Sequence, residues 1–322
     1  MITTHLYQKG KVFETGISRA QMLSALKQKD ALLWVDLEAP SEFETETLIE
    51  IFNFHPLAVE DCVSDSSNAK VDDYEDYLFV VTNALHITPN EELATTELDI
   101  FIGSNYVVTY HRSKIAGVEQ VLNLALKKPD FYLGRGSDLL FHSLLDRLVD
   151  DFMPVMDRYD KKIDELEEFI FNDPPADYLS TVLQVKHDMF NLRRIVSPQR
   201  DTVHFIIRNP NALIRTENTF YFRDVYDHLL RIYEMAESYH ESLSNLLQAY
   251  FSYASNKLNN IMRRMTVLAT LTMPVVIIAS VYGMNFKYMP ELEWRYGYYL
   301  SIGLMVLVPC VMLIWMKLKK WI

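Results

Sequence analysis

The sequence predicts an α/β domain followed by long helices and two transmembrane helices. Three observations carry that prediction. All nine glycines fall at position 136 or earlier, or at 283 or later, so 137–282 contains no glycine to interrupt a helix. Apolar runs of strand character, set between helix-like stretches, are confined to the first 130 residues. Two long runs without a formal charge follow residue 264.

With 322 residues, 49% of them apolar and 23% charged, the chain has ample material for a folded core. Residues 1–130 read as a cytosolic α/β domain, with strands at 32–37, 78–87, 98–102 and 106–110 and a helix-like stretch at 41–52. A cytosolic helical hairpin is expected over 131–209. Its first arm has helical periodicity over 138–171 and ends at Asp173-Pro174-Pro175; its second runs over 178–195 and is expected to stop at Ser197-Pro198.

Between Pro210 and Pro274 lie 63 residues with neither proline nor glycine. Leu243, Leu246, Leu247, Tyr250, Ala254, Leu258, Ile261 and Met265 recur there at spacings of three and four, one face of a continuous helix. The periodicity passes unbroken into the first uncharged run, so 210–286 reads as one stalk and membrane helix. One small domain cannot bury a helix of about 60 residues, so the helix needs partners, most simply copies of itself.

The first uncharged run, 265–286, has 22 residues. As a helix it reaches roughly 33 Å, enough for a hydrocarbon core of about 30 Å. Nine residues, 287–295, make a short loop, and 21 further uncharged residues, 296–316, return across the bilayer to a basic tail at 317–322. Lys257, Arg263 and Arg264 precede the first span, and Lys317, Lys319 and Lys320 follow the second, whereas Lys287 and Arg295 in the loop are balanced by Glu291 and Glu293. Basic flanks favour the cytoplasmic face. A multi-pass protein of the cell (inner) membrane is therefore expected, with both termini cytoplasmic, the loop outside and lipid around the spans. Aromatic residues near both ends of the spans, Trp294, Tyr296, Trp315 and Trp321 among them, fit interfacial belts. The first ten residues lack the basic-then-apolar pattern of a secretory signal.

Net charge is −12, but 257–322 carries +6, which leaves −18 on the first 256 residues. So acidic a body repels phosphate backbones, excluding nucleic acid as a partner, and attracts cations. Cys62 and Cys310 are too far apart and too few for a disulfide framework or a cysteine-rich zinc site. Nor is there an enzyme motif: no phosphate-binding Gly-x-x-x-x-Gly-Lys, no second histidine beside His240-Glu241, no Asp-x-Asp-x-Asp-Gly loop.

Asn259, Met262, Thr266, Ala269, Met273, Val276 and Ser280 are spaced alternately by three and four and share one helix face. In a bilayer such a small, hydroxylated and thioether face marks either a helix–helix seam or the lining of a water-filled path. It ends at Tyr282-Gly283-Met284-Asn285-Phe286, followed by Met289-Pro290-Glu291-Leu292.

This ending resembles the CorA family of magnesium (cobalt/nickel) transport proteins. The resemblance extends to residues 221–228, Ser255-Asn256-Lys257, His55-Pro56-Leu57 with Glu60-Asp61, and Leu148-Val149-Asp150-Asp151, and so covers nearly the whole chain. It implies a CorA-like homopentameric funnel whose five first membrane helices line a pore for Mg²⁺, with Co²⁺ or Ni²⁺ also admitted. It implies that Gly283, Met284 and Asn285 form the selectivity ring, taking hydrated Mg²⁺ through neutral oxygens. Neither span contains Asp or Glu, which suits a ring that must release the ion. The same resemblance puts Asn259, Met262 and Met265 at the cytosolic throat and Glu291 and Glu293 in an external loop that gathers cations. For these residues interhelical packing and a solvated hairpin are the plain alternatives.

The resemblance further implies regulatory Mg²⁺ sites at Asp61 and Asp224, with Glu60 and Asp146 at a second. Opposed carboxylates of neighbouring subunits repel unless a divalent ion lies between them, so internal Mg²⁺ would favour the closed ring. Without the resemblance all four read as solvated charges, as do Asp150 and Asp151, while His55 and His228 read as structural. Ser280 stands where many members have glycine, and Val276 is apolar on a face often hydroxylated. A zinc-transporting branch of the superfamily and a non-conducting membrane ion sensor are the competing readings.

Overall fold

The computed structural model describes residues 1–9, 14–64, 68–88, 93–171, 174–209 and 212–319. The chain forms two compact units, Met1–Leu247 and Gln248–Ile322.

Among the described residues, the first unit is built on seven strands: β1 (Ile2–Gln8), β2 (Glu14–Thr15), β3 (Ala31–Glu38), β4 (Lys70–Asp73), β5 (Leu78–Ile87), β6 (Leu93–Ile102) and β7 (Tyr106–His111). They form one sheet in the order β2-β1-β3-β7-β6-β5-β4, with β3 and β7 parallel and every other pair antiparallel. β3 is buried along nearly its whole length, as its near-continuous apolar run requires of a central strand covered on both faces. One face presents Leu33, Val35, Leu37, Phe79, Val81, Phe101, Val108 and Tyr110 to α1 (Arg19–Leu26), α2 (Glu42–Thr45), α3 (Thr47–Glu50) and α4 (Pro56–Val63), with Met22, Leu48 and Ala58 in the shared core. Across the sheet, α5 (Ala116–Lys127), α6 (Pro129–Tyr132) and α7 (Ser137–Asp150) follow, and α7 packs on β5, β6 and β7.

The four apolar runs of the sequence are strands. β1, β2 and β4 were not legible as such: β1 reads Ile-Thr-Thr-His-Leu-Tyr-Gln, with no run of apolar residues, yet Thr4 and His5 are buried by pairing with β3. The 41–52 stretch is two short helices, α2 and α3, the first started by a Ser41–Glu44 capping box.

The first arm expected over 138–171 is not one helix: it breaks at Asp151 into α7, which packs on the sheet, and α8 (Phe152–Phe171), so the helical arms are α8 and α9 (Tyr178–Arg208). α9 does not stop at Ser197; it runs through Pro198 for a further ten residues. A proline inside a helix removes one backbone bond and costs about 3 kcal/mol. Val196, Val203 and Ile206 are buried on either side of it, and Gln199 accepts a hydrogen bond from Thr82 of β5 at 2.9 Å, so tertiary contacts offset the loss. α10 (Thr219–Tyr282) is a single 64-residue helix that passes through Pro274.

In the second unit, the end of α10 and α12 (Gly297–Leu318) are joined through a short α11 (Pro290–Glu293). The most apolar windows of α10 and α12 have mean hydropathies of 1.9 and 2.2 and are 0% and 11% buried. Both helices are long enough to span a bilayer, and their apolar surface is not covered within the chain. They are therefore not core helices of a soluble fold.

Candidate ion path and cation-binding cluster

The face running from Asn259 to Ser280 is exposed throughout in the single chain, Met262 at 60%, Met265 at 63% and Met273 at 66%, with Thr266, Ala269, Val276 and Ser280 exposed between and beyond them. Off that face, Thr270 donates to the Thr266 carbonyl at 2.7 Å and Thr272 to that of Leu268 at 3.0 Å, the usual way a hydroxyl is satisfied in lipid. Thr266 and Ser280, on the face, make no side-chain hydrogen bond among the described residues.

α10 ends where the Gly283 N–H donates to the Ala279 carbonyl at 2.9 Å, after which Met284 and Phe286 close tight turns onto Val281 and Met284. A Cβ on Gly283 would lie 3.2 Å from the Ala279 carbonyl oxygen, so a side chain there would press on the helix end and require it to give by a few tenths of an ångström. Asn285 follows, exposed and without a side-chain hydrogen bond among the described residues, so its amide is free for a ligand. Glu293 is exposed in α11; the side chain of Glu291 lies outside the described residues.

The four predicted regulatory acids fall into two groups. Glu60 and Asp61 lie on α4, which His55 starts by accepting the Leu57 N–H on Nδ1, a structural role. Glu60 is exposed. Asp61 is paired with Lys70 at 2.7 Å, and Lys70 also reaches Asp72 at 3.0 Å. Burial pulls the Lys70 pKa down, but hydrogen bonds to these two carboxylates outweigh it and raise the net value. A metal ion at Asp61 must therefore displace or share this ammonium. Lys70 lies outside the motifs that carry the resemblance.

The second group lies where α7 meets α10. Phe141 and His142 pack against Phe222 with ring centroids 5.5 and 5.6 Å apart, which sets the two helices in register. Asp146 and Asp150 are four apart on α7, and Asp224 and His228 four apart on α10, so each pair occupies one face. Ligand atoms of Asp146, Asp150 and His228 lie within 4.8 Å of one another. Burial raises the Asp146 pKa, opposed by His142, with further upward pressure from Asp150 and Asp224. Burial also lowers the pKa of His142, against the nearby charges of Asp146 and Asp224. Acids that repel one another beside an imidazole form a natural cation site: oxygen donors suit Mg²⁺, and the added nitrogen suits Co²⁺ or Ni²⁺. A cleft of about 350 Å³, lined by Arg135, His142, Asp146, Asp150 and Tyr221, leads to it.

The sequence assigned Asp150 to a solvated face and His228 to structure; the i, i+4 spacing pairs Asp146 with Asp150 and Asp224 with His228 within each helix, and only the packing of α7 on α10 joins them. The start of α10 is held in place by Asp138, 2% exposed at the N-terminus of α7, which accepts from Arg215 Nε at 2.9 Å, Arg215 Nη2 at 2.6 Å and Asn218 Nδ2 at 2.8 Å. Asp224 interacts with His142 and Asp146 within the chain, and Asp61 with Lys70; the two predicted partners of the first site belong to separate groups.

Residues 29–320 match the model of the CorA-like Mg²⁺ transporter protein family. The chain belongs to the CorA family. It is 37% identical over 300 residues to the Bacillus subtilis protein YfjQ, with 93% of each chain covered. It is 34% identical to the cobalt/magnesium transport protein CorA of Thermotoga maritima, over 85% of this chain and 78% of that one. The complete CorA magnesium transporter of Methanocaldococcus jannaschii has the same fold, with a TM-score of 0.85 at 22% identity over 99% of this chain and 98% of the other. The fold is shared more widely: full-length CmaX superposes with a TM-score of 0.79 at 16% identity, over 99% of this chain and 96% of the other. As a CorA-family member the protein is a divalent cation transporter with an α/β domain, a long helix and two membrane-spanning helices.

Proposed function

We propose that the protein is a homopentameric channel for Mg²⁺ influx, admitting Co²⁺ and Ni²⁺ as well, in the cell (inner) membrane with both termini cytoplasmic. The observation that carries this reading is the free Asn285 amide on the Gly283 turn, at the end of a membrane helix without a carboxylate. Five such turns would offer Gly283 carbonyl and Asn285 amide oxygens to the water shell of Mg²⁺, which gives up inner waters reluctantly. Neutral donors hold the hydrated ion loosely enough to pass it on.

Below the ring, Thr266 and Ser280 would line the path, and Met262 and Met265 from five chains would close it by dewetting, with Asn259 at the cytosolic mouth. Glu293 and Glu291 would raise the cation concentration outside. Internal Mg²⁺ is proposed to hold the pore closed at two places: at Asp61, in competition with Lys70, facing Asp224 of a neighbouring subunit, and at Asp146 with Glu60. Asp150 and His228 extend the second place. Loss of Mg²⁺ would leave like charges opposed and loosen the ring.

The names of the Thermotoga and Methanocaldococcus relatives support the choice of ion. The cytoplasmic domain of ZntB from Vibrio parahaemolyticus shares the fold, with a TM-score of 0.62 over 78% of this chain, so the zinc branch is the second reading. Uptake of Mg²⁺, Co²⁺ and Zn²⁺ into liposomes holding the purified protein decides among them. Mg²⁺ entry that ceases at millimolar internal Mg²⁺ is the expected result. Zinc entry without magnesium entry would favour the zinc branch, and no entry of any ion would leave the sensor.

A further inference from the structure

One buried acid is used neither by the ion path nor by the α7–α10 cluster. Asp99 lies on β6, facing α4, and is 2% exposed. Its Oδ1 has no hydrogen-bond partner among the described residues. Cys62 is 1% exposed on α4, where its thiol donates to the Ala58 carbonyl at 3.2 Å. Both residues line a cleft of about 180 Å³ with Thr95, Glu97 and Arg112. Glu97 is two residues from Asp99 on the same strand, so it projects to the same side.

The charges around the cleft favour a cation. Glu97 and Asp61 both press on Asp99 and Cys62, and Arg112 is the opposing charge. Arg112 is turned to the end of α4, where its Nη2 donates to the carbonyls of Cys62 and Val63. Burial, with the charge of Glu97 next, pushes the Asp99 pKa up to about 8, which a bound cation would relieve.

We propose that this cleft binds a thiophilic divalent cation such as Co²⁺ or Zn²⁺, anchored by Cys62 Sγ and the Asp99 carboxylate. A thiolate beside carboxylates suits these ions, while Mg²⁺ takes oxygen ligands in octahedral geometry and keeps its waters, so the site separates the two classes. On binding, the Cys62 thiol proton and the proton that Asp99 carries at neutral pH both leave to solvent. Cys62 is next to Asp61, so occupancy reports transition metal to the same helix that is proposed to sense Mg²⁺.

The test is Co²⁺ titration of purified full-length Cys310→Ser protein, which keeps Cys62 as its single thiol. A thiolate-to-cobalt charge-transfer band in the near ultraviolet should saturate at one ion per chain and persist in millimolar Mg²⁺. It should vanish in Cys62→Ser and need at least about tenfold more Co²⁺ in Asp99→Asn. Absence of the band in the folded Cys310→Ser protein, or its survival in Cys62→Ser, overturns the assignment. Should Cys62→Ser fail to fold, alkylation of Cys62 in the Cys310→Ser protein decides: Co²⁺ should slow it at least about tenfold and Mg²⁺ should not. Equal rates with and without Co²⁺ overturn the site.

Discussion

Arg215→Ala tests how the start of α10 is held against α7. The Asp138 carboxylate is 2% exposed and accepts from two guanidinium nitrogens, at 2.9 and 2.6 Å, as well as from Asn218 at 2.8 Å, the Arg215 backbone N–H at 3.2 Å and its neighbour Leu139 N–H at 2.9 Å. Truncating Arg215 removes both charged donors and leaves three amide donors on a buried charge. Breaking one side of a fully buried pair costs about 3–5 kcal/mol; here only Asp138 is buried, Arg215 being 44% exposed, and solvent at the guanidinium together with the remaining amides brings the expected loss to the lower end, about 3 kcal/mol. For a unit of this size that is a fall of about 6–12 °C in Tm, read by near-ultraviolet circular dichroism on full-length protein in detergent. The pH dependence has a definite sign. Burial opposes ionisation of Asp138, but the hydrogen bonds from Arg215 and Asn218 outweigh it and depress the folded pKa. The contribution is therefore present above the unfolded carboxyl value of about 3.9 and is lost as pH falls through the folded one. The gap between wild type and variant should be wide at pH 7 and close in acid. A gap below about 1 kcal/mol at pH 7 would refute the claim that this pair fixes the α7–α10 junction.

Three further outcomes are expected. Lys70→Met removes the ammonium 2.7 Å from Asp61, a pair about one-third exposed, so internal Mg²⁺ should close the channel at about two- to fivefold lower concentration in a flux titration. Gly283→Ala brings a Cβ to 3.2 Å from the Ala279 carbonyl, so Mg²⁺ flux should fall while detergent-solubilised protein keeps its oligomeric state; unchanged flux would show that the close turn is not needed. His111 is buried, which lowers its pKa, but the hydrogen bond and charge of Asp36 at 3.1 Å outweigh this and raise it. Its stabilising contribution is thus full below the unfolded value of about 6.5 and lost as pH rises through the folded one, and His111→Phe should remove that part of the stability–pH profile.

The membrane helices and four central strands were legible because each has a continuous apolar signal, and proline and glycine placement marked the long helix. β1 carried no such signal, since Thr4 and His5 are buried by strand pairing and not by their own hydrophobicity. Pro198 misled for the converse reason: a local breaker is overruled by buried neighbours on both sides and by the Thr82–Gln199 hydrogen bond. The Gly283 turn was legible as a motif, while the free Asn285 amide is a property of the folded helix end. Motif matching found single acids, but Lys70 at Asp61 and the union of Asp146, Asp150 and His228 depend on how α4 meets β4 and α7 meets α10, distances that no spacing within one segment encodes.

The most direct test of the proposed ring is Mg²⁺ flux through Asn285→Ala beside wild type, in liposomes with internal Mg²⁺ chelated so that feedback is removed from both. Loss of flux in a variant that keeps the wild-type oligomeric state is the predicted result. Wild-type flux from Asn285→Ala would contradict the account, because the ion would then be passing without the amide on which selection is proposed to rest.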